Sequence, residues 1–309
     1  MTKYLITGAT SLVGLGLCDY ISSIDNNFIY LVCRKDSAGL RRIAPKENIY
    51  VYFADLEHLN EILEQIEEAD VFIYLAWTDT DHNGRDNPQS QNRNVDLAIN
   101  AMHIAAKLKC RLFVDAGSQA EYGYIPGLIT EDTVCKPDTE YGKAKLQVFE
   151  KGSKICSVLG IKYLHLRLFS TFGANDRPWT LIISAIQKML ANEEIKLSTG
   201  TQNWNYLYVA DCAKQIYLLC NYLSNRNDFK FGIYHIASKD TRHLKEFVEE
   251  MQIVIGSKSK LIYGGISQTR NVSLNPSVRK TEEAIGFINE TSFGDAIRKI
   301  VEKNYKIKL

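Results

Sequence analysis

Tyr141 and Lys145 stand four residues apart in the stretch EYGKAK, so on a helix they share one face. An ammonium beside a phenol favours the phenolate and brings the tyrosine toward the range where it can exchange a proton. Ser118 lies just past the apolar run RLFVDAG, at a place where a strand would end. Its hydroxyl would hydrogen-bond a substrate oxygen next to Tyr141. Together the two groups would stabilise charge on a carbonyl oxygen as hydride arrives or leaves. Lys145 has a second use, holding ribose hydroxyls of a nicotinamide cofactor. A surface helix can carry the same spacing with no chemistry attached, so the upstream sequence has to decide.

Upstream lies TGATSLVG, residues 7–14, between the apolar run KYLIT and a helical pattern. A Gly-rich turn from strand to helix is a phosphate cradle: free N–H groups and the positive helix end face the anion. Gly8 would make the turn and Gly14 would let the helix approach the sheet. Thr10, Ser11, Leu12 and Val13 would line the cradle. Ser11 stands where such loops usually have Gly; its backbone N–H is expected on the pyrophosphate, with its hydroxyl as a further donor. In the second apolar run, LVCRKDS, Arg34 and Lys35 occupy the place of the acid that binds the ribose 2′-hydroxyl of NAD. Basic groups there suit a 2′-phosphate, so NADPH is expected; neighbouring Asp36 keeps NAD(H) open. Asp55 and Leu56, after the third run, would face the adenine, although Asp55 also suits a plain loop cap.

The elements needed to position these groups are legible in the period. KYLIT, FIYLVC, IYVYF, VFIYLA, RLFVDAG and KYLHLRLF read as buried strands. Amphipathic segments such as 59–68 and 94–108 alternate with them. The expected fold is α/β, a Rossmann-type doubly wound parallel sheet. Residues 1–173 would be the NAD(P)-binding domain. Residues 174–309 would be mainly a smaller α/β substrate-binding lobe, with some segments packing back on the first domain. The chain of 309 residues has net charge +1, which gives no global field for nucleic acid or an anionic membrane. No apolar run approaches the roughly 20 residues of a membrane helix. The start of the chain shows no signal-peptide pattern, and the seven scattered Cys fit reduced thiols; a cytoplasmic location is expected. The six His show no ligand spacing, so no metal is expected.

The order TGxxxxxG, strand-end Ser118, Tyr141-x-x-x-Lys145 and RLFSTFG resembles the extended short-chain dehydrogenase/reductase family, whose members are NAD(P)-dependent nucleotide-sugar epimerases, dehydratases and reductases. The resemblance runs over almost the whole chain. It implies that Leu75, Ala76 and Trp77 of YLAW line the cofactor, joined by Asn94 of RNV and Phe169 of RLFSTFG. Trp77, Thr78, Ser118, Gln119, Tyr122, Ser170, Trp204 and Arg270 would face the substrate, with Tyr122 also suited to packing beneath its loop. Arg270 and Arg279 are candidates for the nucleotide pyrophosphate, and NYLYVAD, residues 205–211, resembles the family's DFxYVxD segment. The segments 94–108 and 143–160 would form the four-helix homodimer seam common in the family.

Departures from the family pattern narrow the chemistry. Relatives that dehydrate sugars carry an acid pair after the strand-end hydroxyl; here stand Gln119 and Ala120, which cannot protonate a leaving hydroxyl. Ser170 replaces a frequent Asn, and Trp204 replaces a frequent Arg. The pattern is most similar to reductases of 4-keto-6-deoxy (or dideoxy) sugars carried on a nucleotide such as dTDP or CDP, enzymes of deoxysugar and surface-polysaccharide biosynthesis. A 4-epimerase with retained NAD is the alternative, and a cofactor-sensing protein without chemistry is a third.

Overall fold

The structure, a computed structural model, describes residues 1–81, 84–267 and 271–309. Its strands are β1 (Thr2–Thr7), β2 (Asn27–Cys33), β3 (Ile49–Phe53), β4 (Val71–Tyr74), β5 (Leu112–Ser118), β6 (Lys162–Leu168), β7 (Ser170–Phe172), β8 (Ile195–Lys196), β9 (Asn203–Tyr208), β10 (Phe231–Ile236), β11 (Thr241–His243) and β12 (Leu261–Ile262). Its α-helices are α1 (Leu12–Ile21), α2 (Pro88–Lys107), α3 (Glu140–Leu159), α4 (Leu181–Leu190), α5 (Val209–Ser224), α6 (Leu244–Ile255), α7 (Arg279–Ile285) and α8 (Phe293–Tyr305).

Seven strands pair in the order β10-β6-β5-β4-β1-β2-β3, parallel throughout. The strand order reverses between β1 and β4, and in such sheets the crevice at the carboxyl ends beside that reversal receives ligands. Both faces of the sheet are covered, which is why its strands read as continuous apolar runs. Leu17, Ile21, Ile216 and Leu219 pack with Ile6 and Leu31 on one face. Val95, Ala98, Met102 and Val148 pack with Leu5, Phe72 and Phe113 on the other. A separate core, with Ile186, Phe247, Phe293 and Ile297, holds the second lobe around the small sheet β11-β9-β7.

The six expected strands form the first six strands of the sheet; the seventh, β10, lies beyond the 173/174 boundary. Gly232 interrupts its apolar pattern, and its partner β6 is a long way back in sequence, so local period does not reveal it. The expected helix 59–68 is instead a 3-10 run, Leu56–Glu64, whose buried Leu59 and Ile62 recur every three residues. Helix α2 begins at Pro88 rather than Asn94, because the Asn87 side chain accepts from the Ser90 amide and Pro88 opens the first turn. Thr139 caps α3 in the same way, accepting from the Gly142 amide, and Gly160 ends it in the left-handed region. Among the described residues no helix is long and apolar enough to cross a membrane.

Candidate functional site

The loop between β1 and α1 is built by close approach. Gly8 has φ +71°, and a Cβ on it would stand 2.8 Å from the Ala76 nitrogen. A Cβ on Gly14 would stand 2.4 Å from the Gly8 carbonyl oxygen. Neither contact is tolerable, so both glycines are required by the packing of loop, helix and the end of β4. Ser11 is used differently from the expectation. Its amide donates to the Gly8 carbonyl (3.0 Å), and its hydroxyl oxygen accepts from the Gly14 amide (3.1 Å). The serine therefore caps the helix and its N–H is not free for a phosphate; the capping bond selects a side chain where glycine is usual. Among the described residues the amides of Leu12 and Val13, next in the helix, have no partner in the loop. The segment after β2 closes over this loop: the Ser37 hydroxyl donates to Thr10 Oγ1 (3.0 Å), and Gly39 is packed against Thr10. That contact brings Arg34 and Lys35, both exposed, to the same edge of the crevice, with Arg34 3.8 Å from Asp36. The Leu75 amide donates to the Thr7 carbonyl (3.2 Å), aligning the end of β4 with the loop. Asp55 is exposed and makes no cap bond, and Leu56 is half-buried against the core.

Asn94 does not point free into the crevice. Its oxygen accepts from the Thr78 amide (3.0 Å) and hydroxyl (3.1 Å), and its nitrogen donates to the Thr78 and Ser90 carbonyls. It acts on the site by pinning Thr78.

Ser118, Tyr141 and Lys145 converge where β5 meets α3. The Ser118 hydroxyl favours the ionised form of the Tyr141 phenol. The same oxygen accepts from the Ala120 amide (3.2 Å). Lys145 is buried; its Nζ donates to the Ala116 carbonyl (2.6 Å) and lies 3.4 Å above the Trp77 indole. Burial pushes this ammonium down to about 8, against the pull of Asp115 and Glu121. Trp77 is fixed by its N–H on the Gln91 oxygen (2.8 Å) and meets Tyr141 edge-on at 5.9 Å. The Tyr-x-x-x-Lys spacing predicts that Lys145 draws the phenol down. Instead, burial raises Tyr141 above its ordinary value, and the largest opposing influence is Arg85, whose guanidinium carbon lies 4.2 Å over the ring. Arg85 comes from the loop after β4 and has no sequence signal of its own.

Behind Ser118 lies a buried ionic chain that sequence reading misses. His165 stands between Asp115 (Nδ1 to Oδ2, 2.9 Å) and Glu121 (Nε2 to Oε2, 3.0 Å). Glu121 also accepts from Arg167 Nε (2.8 Å) and from the Ser118 amide (2.7 Å). Arg167 donates to the Tyr122 hydroxyl (2.7 Å), which pairs with His235 Nε2 (2.6 Å). Burial alone would raise Glu121, but His165, Arg167 and the Ser118 amide hold it down at about 2. Burial alone would lower His165, but Glu121 and Asp115 hold it up at about 9. His235, whose Nδ1 lies 3.9 Å from Glu131 Oε1, is nevertheless driven down to about 4 by burial. This chain bears on two of the expected residues. Of the two readings of Tyr122, packing beneath its loop is the one found: it is fully buried and anchored by Arg167 and His235. Phe169, expected on the cofactor, turns its ring into the same core, 5.1 Å from His235.

Of the residues expected to face the substrate, Thr78 is exposed, and Gln119, Ser170 and Trp204 are half-buried. Trp204 packs between the second core and the Tyr122 cluster, with its indole N–H buried and, among the described residues, without a partner. Arg270 lies outside the described residues. Arg279 is exposed at the start of α7 and paired with Glu283 (2.6 Å). Arg177 bridges the two lobes by donating to Thr80 Oγ1 (2.6 Å). A cavity of about 450 Å³ opens within the second lobe among Tyr206, Tyr208, Asp240, Arg242, Glu250 and Phe293; none of Ser118, Tyr141 or Lys145 lines it. Among the described residues no group of three His, Cys, Asp or Glu is arranged for a metal ion.

Comparison with known proteins places this architecture. Over 235 residues the chain is 24% identical to an uncharacterized UDP-glucose epimerase of Bacillus subtilis (strain 168), covering 69% of this chain and 71% of that one. It is 22% identical to a CDP-abequose synthase of Salmonella muenchen, covering 86% and 85%. The fold superposes with TM-score 0.85 and 20% identity on a UDP-N-acetylglucosamine 4-epimerase from Methanobrevibacter ruminantium M1, solved with UDP-N-acetylmuramic acid, covering 99% and 98% of the two chains. The family model for NAD dependent epimerase/dehydratase matches residues 4–237, and the chain belongs to that family.

Proposed function

We propose that the protein reduces the 4-keto group of a nucleotide-linked 6-deoxy or dideoxy sugar with NADPH. The observation that carries this reading is the meeting of Ser118, Tyr141 and Lys145 beside a glycine-built phosphate loop with Arg34 and Lys35 at its edge. The loop fits a dinucleotide: Gly8 and Gly14 leave no room for a Cβ, and Leu12 and Val13 present free amides at a helix N-terminus. When bound, the nicotinamide supplies the hydride. Ser118 orients the ketone, Tyr141 protonates the oxygen as charge develops there, and Lys145 holds the ribose side. Arg34 and Lys35 select the 2′-phosphate. Residues 1–173 carry the cofactor, and 174–309 mainly carry the sugar nucleotide. Two copies pair through α2 and α3, and the protein works in the cytoplasm.

Dehydration does not fit. Gln119 and Ala120 hold no proton to give, and Glu121, the carboxylate of that turn, is buried, ion-paired and held ionised. The epimerase names among its relatives support a second reading, 4-epimerisation with retained NAD; the basic pair at 34–35 argues for reduction. A panel of 4-keto nucleotide sugars with NADPH and NADH, followed by product NMR, separates the two. Net NADPH consumption is expected; isomerisation with no net cofactor turnover would establish the epimerase. Tyr141→Phe should lower kcat by roughly 10²–10⁴. An undiminished rate in that variant removes Tyr141 as the acid.

A further inference from the structure

The turn Gly84–Asp86 carries Arg85 to the catalytic group, and it is firmly held. The Gly84 amide donates to Asp81 (2.7 Å), and its carbonyl accepts from Gln91 (2.9 Å). Gln91 is buried and also takes the Trp77 indole N–H, so one amide side chain fixes both the Arg85 turn and the aromatic wall beside Tyr141. Among the described residues Arg85 forms no ion pair; its recorded contact is the face of Tyr141, at 4.2 Å. A cation held over a phenol ring without a carboxylate of its own remains free to respond to charge on that ring.

We propose that Arg85 is a positioning residue for proton transfer at Tyr141: its guanidinium, laid on the ring, supports the negative charge left on Oη when the proton goes to the substrate oxygen. The Tyr-x-x-x-Lys spacing gives this job to Lys145. The structure places Lys145 Nζ 5.8 Å from the Tyr141 ring centroid and bonds it to the Ala116 carbonyl. The other groups facing the phenol are Asp115 and Glu121, which disfavour the phenolate, and Ser118, which favours it. Burial works against ionisation, and Arg85 is the strongest influence in the opposite direction. Arg85 thus adds a second positive charge over the phenol ring, nearer to it than Lys145.

The inference rests on Tyr141 being the proton donor, but its first test needs no substrate. Fluorotyrosine at position 141 ionises at lower pH than an ordinary tyrosine in the same place, and its absorbance reports the midpoint in the ligand-free protein. Arg85→Gln should raise that midpoint by roughly one unit or more, as expected for loss of a charge within 4–6 Å. Arg85→Lys should restore most of the difference. An unchanged midpoint in Arg85→Gln overturns the proposal. In the alcohol-oxidising direction, where Tyr141 must first lose its proton, the rise of kcat with pH should move upward by the same interval in Arg85→Gln, with KM nearly constant. A rise that stays in place overturns it too. A shifted titration without turnover of any 4-keto sugar removes the ketoreductase reading and leaves the role of Arg85 standing.

Discussion

Glu121→Gln removes one negative charge from the centre of the buried chain while keeping the side chain's shape. In the native protein Glu121 accepts from His165, Arg167 and the Ser118 amide, and it is fully buried. The glutamine retains one acceptor oxygen and presents an NH₂ where N–H donors already point. His165 then keeps Asp115 as its carboxylate partner, while Arg167 loses its own. Removing one partner of a buried ion pair costs about 3–5 kcal/mol. The protonation equilibrium gives a similar figure: a fall from the ordinary 4.5 to about 2, at about 1.36 kcal/mol per unit, is about 3 kcal/mol. The sign follows from the depressed value. This stability is present above about pH 4.5 and is lost as pH falls toward about 2. Urea unfolding at neutral pH should therefore show Glu121→Gln less stable by about 3 kcal/mol, with unchanged m. Between pH 4.5 and 2 the wild type should lose that amount while the variant stays flatter. A loss under about 1 kcal/mol at neutral pH, or parallel acid limbs in the two proteins, would refute the assignment of Glu121 as the ionised centre.

His165 should titrate near 9 by NMR, so its contribution is complete below about pH 6.5 and fades as pH rises through about 9; a midpoint at or below 6.5 would show that the imidazole is buried neutral. Replacing Arg34 and Lys35 together with Ala should raise KM for NADPH about tenfold or more, since a charged hydrogen bond is worth about 1.5–3 kcal/mol. KM for NADH should barely move, and equal changes for both cofactors would remove the pair from 2′-phosphate recognition.

The sheet was legible because burial on both faces turns each of the first six strands into an apolar run, a strictly local signal. The seventh strand was not, because β10 takes its meaning from β6, far back in the chain. The same divide runs through the site. Gly8, Gly14, Tyr141 and Lys145 announce themselves by spacing, because one turn or one helix face sets their geometry. His165, Arg167 and His235 sit on β6 and β10, and nothing local says that their side chains meet Glu121 and Tyr122. Ser11 shows a subtler failure. Its type was noticed as unusual, but only the geometry distinguishes a cap that accepts from Gly14 from a donor to phosphate.

The buried chain also explains why Ser118 stays in place while the groups around it carry charge. Its amide is tied to Glu121, and its hydroxyl oxygen accepts from the Ala120 amide, so both of its polar groups are oriented before any ligand arrives. Two anions, Asp115 and Glu121, are balanced by His165 and Arg167 within one dry cluster. The same two carboxylates raise the Tyr141 phenol and pull the Lys145 ammonium up against burial. Glu121, paired with His165 and Arg167, serves this site as a fixed anion.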